Sequence, residues 1–338
     1  MDNKDILMAA IVIIISTSGW VSLAHQYSDP PIGPAEEHQD EISIATLFCP
    51  RDDCAGAIVE LMDESDRVRC AFYDLNHPKI LDAIKDNSAD IVIDSDNSAE
   101  IGSRDIPHTV DSGSGYMHNK FCIFGDGTVM TGSMNPTVNG ITRNNNNMVI
   151  ISSELLAENF IHKFNQMFKE RRFKDHDAMN RPYQRIVDGE DRWVETYFCP
   201  EDDCEDQVIR HIEGAEESIH FMTFSFTSQG IADTITNSMG DMEVKGIFEN
   251  WLAGSRWSQY HTLNNTCSEC FVRSRHDGNM HHKVFIIDGK TTITGSYNPS
   301  RNANTNNDEN IIIVHDNYTA KRFIEEFNMI WDEYGIED

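Results

Sequence analysis

Apolar and polar residues occur along this chain in blocks that predict a regular succession of strands and helices. Short runs rich in Val, Ile and Phe predict strands, and segments with apolar residues three or four positions apart predict helices. The alternation predicts an α/β architecture with a largely parallel or mixed sheet. In the first half the predicted strands are ISIATLF, VRCAFYDL, ADIVID and NNNNMVIIS, and the predicted helices are AGAIVELMDESD, PKILDAIKDN and LLAENFIHKFNQMFKERRF.

The same succession occurs twice. VETYFCPEDDC corresponds to ISIATLFCPRDDC at an offset of 150, whereas later segments correspond at an offset of 163. The difference of thirteen residues predicts an insertion in the second half, around residues 246–270. A duplication this regular predicts two similar halves that pack with pseudo-two-fold symmetry, as an isologous dimer would. We therefore expect a monomer that contains an internal pseudo-dimer.

Composition divides the chain into four parts, namely an N-terminal signal or membrane anchor with an acidic, Pro-rich linker (1–40), a first domain (41–178), a polar linker (179–191) and a second domain (192–338). The apolar run from Ile6 to about Ala24 is long enough to cross a bilayer. The small residues Ser22 and Ala24 also fit a signal peptide. Both interpretations predict an exported protein, either secreted or anchored in the membrane.

The chain is strongly acidic, with a formal net charge of -29. This charge excludes a broad basic surface, and with it tight non-specific binding of duplex DNA, which requires many phosphate contacts. A local basic pocket stays compatible with the composition. Because an acidic surface repels both polynucleotides and anionic lipids, the net charge does not discriminate between these two classes of substrate.

Eight cysteines occur, and in an exported protein an even number predicts disulfides. CPRDDC and CPEDDC each contain a pair, and CSEC, with Cys267 and Cys270, has the two-residue gap of a zinc site as the alternative. Cys70 and Cys122 stand alone in the sequence. We expect Cys122, within a predicted strand, to be a buried thiol.

The stretch on which the chemistry depends is HNKFCIFGDGTVMTGSMN, from His118, and its counterpart HHKVFIIDGKTTITGSYN, from His281. In each, a Lys follows the His by two residues and a Ser follows it by fifteen. Residues two apart on a strand share a face, and the turn after the apolar run returns the Gly-Ser-x-Asn segment to the same side. Each copy thus supplies half of an anion pocket, and two facing halves would hold a phosphate between two histidines.

This pattern resembles the HKD motif of the phospholipase D superfamily, H-x-K-x4-D-x6-G-S-x-N. The second copy matches at every defined position: His281, Lys283, Asp288, Gly295, Ser296 and Asn298. The first copy matches at His118, Lys120, Gly132, Ser133 and Asn135. It departs at the aspartate, where Gly125 stands and Asp126 comes one residue late. The resemblance covers nearly everything after residue 41 and implies two α/β/α sandwich halves with the active site at their junction.

The two motifs supply a nucleophile, cationic groups and an acid, so phosphodiester cleavage would need no metal or other cofactor. The resemblance implies that His118 attacks phosphorus to form a phosphohistidine and that His281 protonates the leaving group and then activates water. Lys120 and Lys283 would neutralise the phosphoryl oxygens. Asn135, Asn298, Ser133 and Ser296 would complete the hydrogen-bond network, with Asp126 and Asp288 in supporting, structural roles.

One position distinguishes the two halves. Glu309 follows His281 by 28 residues, and the equivalent position after His118 is Asn146. In relatives an acidic residue here orients a motif histidine, often that of the opposite half. Glu309 would then activate His118, because a carboxylate partner makes an imidazole a better nucleophile. Asn146 would face His281. His276 and His282 are expected to take no part in the chemistry.

The motif does not identify the substrate. Compact members of the superfamily without large additional domains are often nucleases, which favours a metal-independent endonuclease acting on DNA or RNA. The alternative is a phospholipase D or phosphatidyl-transfer enzyme, which a membrane tether would suit. A second alternative is an inactive phosphate-binding module, suggested by the altered first motif. In the insertion, Trp251, Trp257 and Tyr260 fit either an aromatic lip or simple packing. Arg256, Arg273 and Arg275 would favour a polynucleotide if they lined a groove.

Overall fold

The computed structural model describes residues 36–176, 181–275 and 277–334, which belong to one compact unit. The N-terminal run predicted as signal peptide or anchor and the side chain of His276 lie outside the described residues. Within them, no helix is both long and apolar enough to span a membrane.

The first lobe is built around a seven-stranded sheet. The strand order is β2-β8-β7-β6-β3-β4-β5, with β3-β4-β5 parallel and the other pairs antiparallel. The elements are β2 (Ser43–Cys49), α1 (Cys54–Asp63), β3 (Val68–Phe72), α2 (Pro78–Asp86), β4 (Asp90–Ile93), α3 (Ala99–Ser103), β5 (His108–Val110), β6 (Lys120–Phe124), β7 (Thr128–Gly132), α4 (Val138–Thr142), β8 (Asn146–Ser152) and α5 (Glu154–Phe168).

The second lobe repeats this order as β10-β16-β15-β14-β11-β12-β13, and β9 and β1 extend it beyond β10 to nine strands. The elements are β1 (Glu37–Gln39), β9 (Arg185–Asp188), β10 (Arg192–Cys199), α6 (Cys204–Glu213), β11 (Ser218–Thr223), α7 (Gln229–Ser238), β12 (Glu243–Glu249), α8 (Asn250–Ala253), α9 (Tyr260–Thr266), β13 (Phe271–Ser274), β14 (Lys283–Ile287), β15 (Thr291–Gly295), α10 (Arg301–Thr305), β16 (Glu309–His315) and α11 (Asn317–Tyr334).

A shared apolar core between the two sheets contains α5 and α11. Each of these helices packs against the opposite lobe: the ring centroids of Phe160 in α5 and Phe198 in β10 are 5.1 Å apart, as are those of Phe323 in α11 and Phe48 in β2. Two further apolar clusters lie beneath α1 and α2 on one side and α6 and α7 on the other. The predicted pair of α/β/α halves with pseudo-two-fold symmetry is confirmed.

Two segments predicted as linkers contain strands. β1 lies within the Pro-rich segment 1–40, and β9 lies within the segment 179–191; the two pair in parallel, and β9 pairs with β10. Two further short elements, α3 and β5, lie between Ser95 and Gly115, where no helix or strand was predicted. All these elements are only three to five residues long. The three strands among them are held by pairing with neighbouring strands, and all four elements are too short to show an apolar pattern of their own, which is why the sequence did not predict them.

All eight cysteines form disulfides: Cys49–Cys54, Cys70–Cys122, Cys199–Cys204 and Cys267–Cys270. The zinc alternative for Cys267 and Cys270 is therefore wrong, and so is the buried thiol expected at Cys122. Cys70 and Cys122 lie directly opposite each other on β3 and β6, which brings two cysteines 52 residues apart into contact. Four disulfides fit an oxidising, exported environment.

Candidate active site

The two motif copies form equivalent hairpins, β6–β7 and β14–β15, each beginning at the motif lysine and ending at the motif glycine. Gly132 and Gly295 have φ of 148° and 147°. A Cβ on these glycines would lie 2.4 Å and 2.2 Å from the backbone oxygens of Asn147 and Asn310. Only glycine fits this backbone and this close approach, which sets the position of the serine that follows.

The lobes meet where the two histidines lie. Met117 pairs with Asp308, and Met280 pairs with Asn145, in isolated bridges between the lobes. The His118 amide donates to the Asp308 carbonyl oxygen at 2.9 Å. The His281 amide donates to the Asn145 carbonyl oxygen, also at 2.9 Å. Each histidine is therefore held by the backbone of the opposite lobe, and a single site is built from both.

Glu309 is the partner of His118. Its Oε2 accepts from His118 Nδ1 at 2.8 Å and from Ser296 Oγ at 2.6 Å, while its Oε1 accepts from Asn307 Nδ2 at 3.1 Å. The glutamate is fully buried, and the His118 side chain is 11% exposed. The carboxylate thus fixes the Nδ1–H tautomer of His118 and leaves its Nε2 lone pair available.

Asn146 occupies the equivalent place beside His281. Its Oδ1 accepts from His281 Nδ1 and from Ser133 Oγ, both at 2.9 Å, and its Nδ2 donates to the Gly140 carbonyl oxygen. His281 Nδ1 also lies 3.1 Å from the Ser133 carbonyl oxygen. The two histidines therefore have corresponding Nδ1 contacts, to a charged partner at His118 and to a neutral partner at His281.

The motif lysines are buried beside the histidines. Lys120 Nζ donates to the His118 carbonyl oxygen at 2.7 Å, and Lys283 Nζ donates to the His281 carbonyl oxygen at 2.9 Å. Lys283 Nζ also lies 3.3 Å from His281 Nε2. Neither lysine has a carboxylate within ion-pair distance among the described residues. The acids Glu309, Asp74 and Asp94 act on Lys120 only from a longer distance, so a bound anion could pair directly with either lysine.

The pKa values of all four groups are lowered. Burial lowers the pKa of His118 to about 4, although Glu309 opposes this shift, and burial lowers the pKa of Lys120 to about 7. Burial, followed by the charges of the two lysines, holds the pKa of His281 well below its ordinary value. Burial and then Lys120 do the same to the pKa of Lys283. A bound phosphodiester would supply the missing negative charge and raise these pKa values again.

Asn135 and Asn298 complete the predicted set. Each lies three residues after its motif glycine, and the Oδ1 of each is buried without a hydrogen-bond partner among the described residues. Ser133 and Ser296 instead bind Asn146 and Glu309 and so orient the partners of the histidines.

The motif aspartate lies outside the site. Asp288, with φ of 54°, accepts from the amides of Glu216, Glu217 and Ser218 and so holds the start of β11. In the first lobe Arg69 replaces this arrangement, donating to the Gly125 carbonyl oxygen and pairing with Asp126. The side chain of Asp126 is 81% exposed. The altered first motif therefore changes how a turn is held and leaves the His–Lys pair unaffected.

Sequence reasoning missed two rings that cover the histidines. The Tyr73 ring lies 4.8 Å from His118, with Lys120 Nζ 5.0 Å above it. The Phe224 ring lies 4.5 Å from His281, with Lys283 Nζ 5.2 Å above it. Each directly follows the second strand of its lobe's repeat, β3 or β11. Without the fold, nothing in the sequence links these positions to the motifs.

Two acidic residues missed from sequence hold the residue before each histidine. Asp94 Oδ2 accepts from the Met117 amide at 2.9 Å, and Glu249 Oε2 accepts from the Met280 amide at 2.7 Å. Both follow or end equivalent strands, β4 and β12, which is the signal that the repeat offered. His282 is fully buried in the core and contacts Glu326 and Asn147, and burial lowers its pKa to about 3; that it takes no part in the chemistry stays a prediction.

The fold and the paired motifs agree with the comparisons. The family model described as "Cardiolipin synthase, PLD-like domain" matches residues 35–168 and 208–331, the greater part of the chain. The protein belongs to the phospholipase D superfamily. The superfamily fold also occurs in the phosphatidylserine synthase of Haemophilus influenzae Rd KW20, which superposes with a TM-score of 0.66 over 86% of each chain at 13% identity. That likeness concerns the fold alone.

Curated relatives match parts of the chain. A mitochondrial cardiolipin hydrolase of Xenopus laevis is 32% identical over 132 residues, covering 38% of this chain and 61% of the relative. A phospholipase D of Rickettsia typhi is 27% identical over 163 residues, covering 48% of this chain and 79% of the relative. The chain therefore spans about three fifths of the length of the frog relative.

Proposed function

We propose that this protein is a metal-independent phosphodiesterase that works through a phosphohistidine on His118. The observation that carries the proposal is the unequal pair of Nδ1 contacts, to the Glu309 carboxylate on one histidine and to the Asn146 amide on the other. A carboxylate stabilises the imidazolium that forms when His118 Nε2 attacks phosphorus. The amide gives His281 no such charge, so His281 releases a proton more readily.

The proposed reaction has two steps. His118 Nε2 attacks phosphorus and forms a P–N bond while the P–O bond to the leaving group breaks, and the leaving oxygen takes a proton from His281. His281 then removes a proton from water, whose oxygen attacks phosphorus and breaks the P–N bond. The products are an alcohol and a phosphomonoester, and both imidazoles return to their starting states.

The lysines would act on the substrate's charge. Lys120 and Lys283 are both buried, so little water solvates their ammonium groups. The phosphodiester oxygens would stabilise the two positive charges in place of water. The interaction between a buried ammonium and an anion is stronger than at the surface because little water screens it. The negative charge of the bound substrate would therefore raise the pKa of His281, so that its imidazole becomes protonated and can act as the acid.

We propose single-stranded nucleic acid as the substrate. Trp251 is 62% exposed and lies against Phe224, the ring that covers His281. Arg256 stacks on Trp257, which is 66% exposed. Exposed aromatic rings next to a phosphate site bind the faces of unpaired bases, and a short single strand needs few phosphate contacts. Tyr260 instead packs on Phe248, and Arg273 lies over Tyr260, away from any such lip.

A phospholipid is the second candidate, because the relatives carry the names phospholipase D and cardiolipin hydrolase. The exposed apolar residues of the described chain support it less well. Besides Trp251, Trp257 and Tyr116, they are Val110 in β5, Val138 in α4, and Tyr318 and Met329, which are eleven residues apart in α11. An enzyme that works at a lipid surface would be expected to present contiguous apolar residues.

The test uses the full chain, with its disulfides formed, in EDTA. Single-stranded and duplex oligonucleotides, phosphatidylcholine vesicles and cardiolipin vesicles are offered in parallel. We expect cleavage of the single strand, lost in His118→Ala and retained in His162→Ala, a matched control at an exposed histidine of α5. Cleavage of vesicles alone would establish the lipid alternative. Folded protein inactive on every substrate would favour the phosphate-binding module.

A further inference from the structure

A cavity of about 770 Å³ lies beside the His281 half of the site. Ser225 lines this cavity and directly follows Phe224 in the sequence, and the ring of Phe224 contacts His281. Ser300 also lines the cavity, two residues after the motif asparagine Asn298. Residues that follow Phe224 and Asn298 along the chain thus place the cavity near the His281 half of the site.

The insertion of the second lobe forms the outer wall of this cavity. Arg256, Trp257 and Gln259 line it, and the Gln259 amide donates to the Phe226 carbonyl oxygen at 2.9 Å. The amide of Thr227 in turn donates to the Pro299 carbonyl oxygen at 2.8 Å. These bonds join the insertion, the loop after β11 and the loop after the motif into one surface.

Two arginines converge on the cavity, Arg256 and Arg301. Neither has an acidic side chain within ion-pair distance in the described part of the chain. Arg301 also lines a neighbouring pocket that contains Asp203, Glu205 and Asp206, and the Glu205 carboxylate oxygens there accept from Ser228 and Asn304. In a chain with 56 acidic and 27 basic residues, two arginines without an acidic partner at one cavity indicate an anion site.

The other lobe has no counterpart of this charge. The residue that follows Tyr73, as Ser225 follows Phe224, is Asp74, and the residue equivalent to Arg301 is Val138. Burial raises the pKa of Asp74, which also feels Lys120. Asp94 also acts on Tyr73 and adds negative charge there, whereas the nearby Asp111 is paired with Lys174. The cationic cavity is thus confined to the His281 side.

We propose that this cavity binds the nucleotide that leaves, with its base on the Arg256–Trp257 pair and its next phosphate at Arg301. The inference rests on the proposed function. In an in-line displacement the leaving oxygen departs opposite the attacking nitrogen, so the leaving group lies toward His281 and enters the cavity that begins there. Every internal nucleotide of a strand carries a second phosphate on its far side, which a guanidinium binds well. The preferred substrate is therefore a diester whose leaving group bears another phosphate.

The test compares three diesters on the full chain: bis(p-nitrophenyl) phosphate, the dinucleotide TpT, and pTpTp, which carries a phosphate at both ends. We expect the wild type to cleave pTpTp with a kcat/KM at least about tenfold above that for TpT, mainly through a lower KM. Arg301→Gln should abolish this preference, and Arg301→Lys should restore part of it. Trp257→Ala should lower kcat/KM for both dinucleotides relative to the nitrophenyl diester. Lys321→Gln, an equal charge change at an exposed position of α11, should keep the full preference.

The outcomes separate the two proposals. Equal cleavage of TpT and pTpTp by the wild type would overturn the leaving-nucleotide site and leave the phosphodiesterase intact. A preference for pTpTp that survives in Arg301→Gln would overturn the assignment of that arginine. Cleavage of the nitrophenyl diester and of phospholipid, but of neither dinucleotide, would overturn the site together with the choice of substrate. Failure on every diester by the folded wild type would overturn the proposed function itself. Circular dichroism and thermal melting of each variant exclude loss of folding as the cause.

Discussion

The two halves of the site have nearly the same geometry and different charge. The Nδ1 atoms of His118 and His281 are each hydrogen-bonded to a side chain of the opposite lobe, Glu309 or Asn146. Each of these two residues begins the strand that comes last along the chain in its lobe, β16 or β8. The backbone bonds that hold the two histidines have equal length. Duplication thus preserved the positions of the atoms, and a single carboxylate in place of an amide gives the two imidazoles different roles in our account.

A similar exchange occurs deeper in the molecule. Lys163 of α5 is fully buried between Glu201 and Asp308, and its equivalent in α11 is Glu326, which pairs with Arg51. Arg51 and Glu201 are themselves equivalent, so the two ion pairs have opposite orientation. Asp308 accepts the His118 amide through its backbone, which links one of these pairs to the site. Equivalent positions therefore tolerate reversed charge provided that each buried charge keeps a partner.

The largest expected effect appears when each motif histidine is replaced by alanine and the substrate has a good leaving group. With bis(p-nitrophenyl) phosphate, His118→Ala should lower the rate by about 10⁴-fold or more, because the nucleophile is lost. His281→Ala should still release one equivalent of p-nitrophenolate, a leaving group that needs little protonation, and then turn over about 10²–10⁴-fold more slowly because the base is lost. Stopped-flow absorbance measures both phases. A burst in His118→Ala, or its absence in His281→Ala, would contradict the assigned roles.

The next effect concerns the partners of the histidines. Glu309→Gln should lower kcat by about 10–100-fold, because an amide no longer stabilises the positive charge on His118. Asn146→Asp should have a smaller effect with an activated leaving group, whose departure does not depend on the acid. The double exchange Glu309→Asn with Asn146→Glu should move the phosphoryl group to His281. Steady-state kinetics measures the first two effects, and an unchanged phosphorylation site in the double exchange would show that these partners do not set the roles.

The lowered pKa of Lys120 predicts pH-dependent anion binding. A bound sulfate favours the ammonium form, so binding should take up protons above the free-state pKa of about 7. The association constant for sulfate should consequently fall by about tenfold for each pH unit above 7. Calorimetry in buffers of different ionisation enthalpy measures the uptake. Lys120→Met should bind sulfate more weakly and with a flatter pH profile, and a wild-type affinity that is constant from pH 6 to 9 would exclude this coupling.

The smallest expected effect concerns the motif aspartate. Asp288→Ala should lower the free energy of unfolding by about 1–2 kcal/mol, because the amides at the start of β11 lose a charged acceptor. Asp126→Ala should cost less than about 1 kcal/mol, since its pair with Arg69 is exposed on the aspartate side. Urea unfolding of the oxidised protein measures both. Equal costs would mean that the two turns are held alike.

The sequence predicted the repeat and both hairpins, because each depends on spacing within a duplicated unit, and the resemblance to the phospholipase D superfamily implied the Glu309–His118 pairing. It did not predict Tyr73 or Phe224, whose contact with the histidines depends on which strands are neighbours. The Cys70–Cys122 disulfide was missed for the same reason, since it requires β3 to lie next to β6. β1 and β9 were missed because strands of three or four residues carry too short a pattern. Local periodicity thus identified the long elements, and contacts between distant strands needed the structure.

The most direct test of the central claim is the location of the phosphoryl group during turnover. The full chain would be mixed with bis(p-nitrophenyl) phosphate, denatured within the burst at alkaline pH to preserve phosphohistidine, digested and mapped by mass spectrometry. Our account predicts a p-nitrophenylphosphoryl adduct, which retains one of the two p-nitrophenyl groups, on the peptide that contains His118, accumulating in His281→Ala. An adduct on His281 would reverse the roles of the two lobes, and a burst without any histidine adduct would contradict the covalent mechanism.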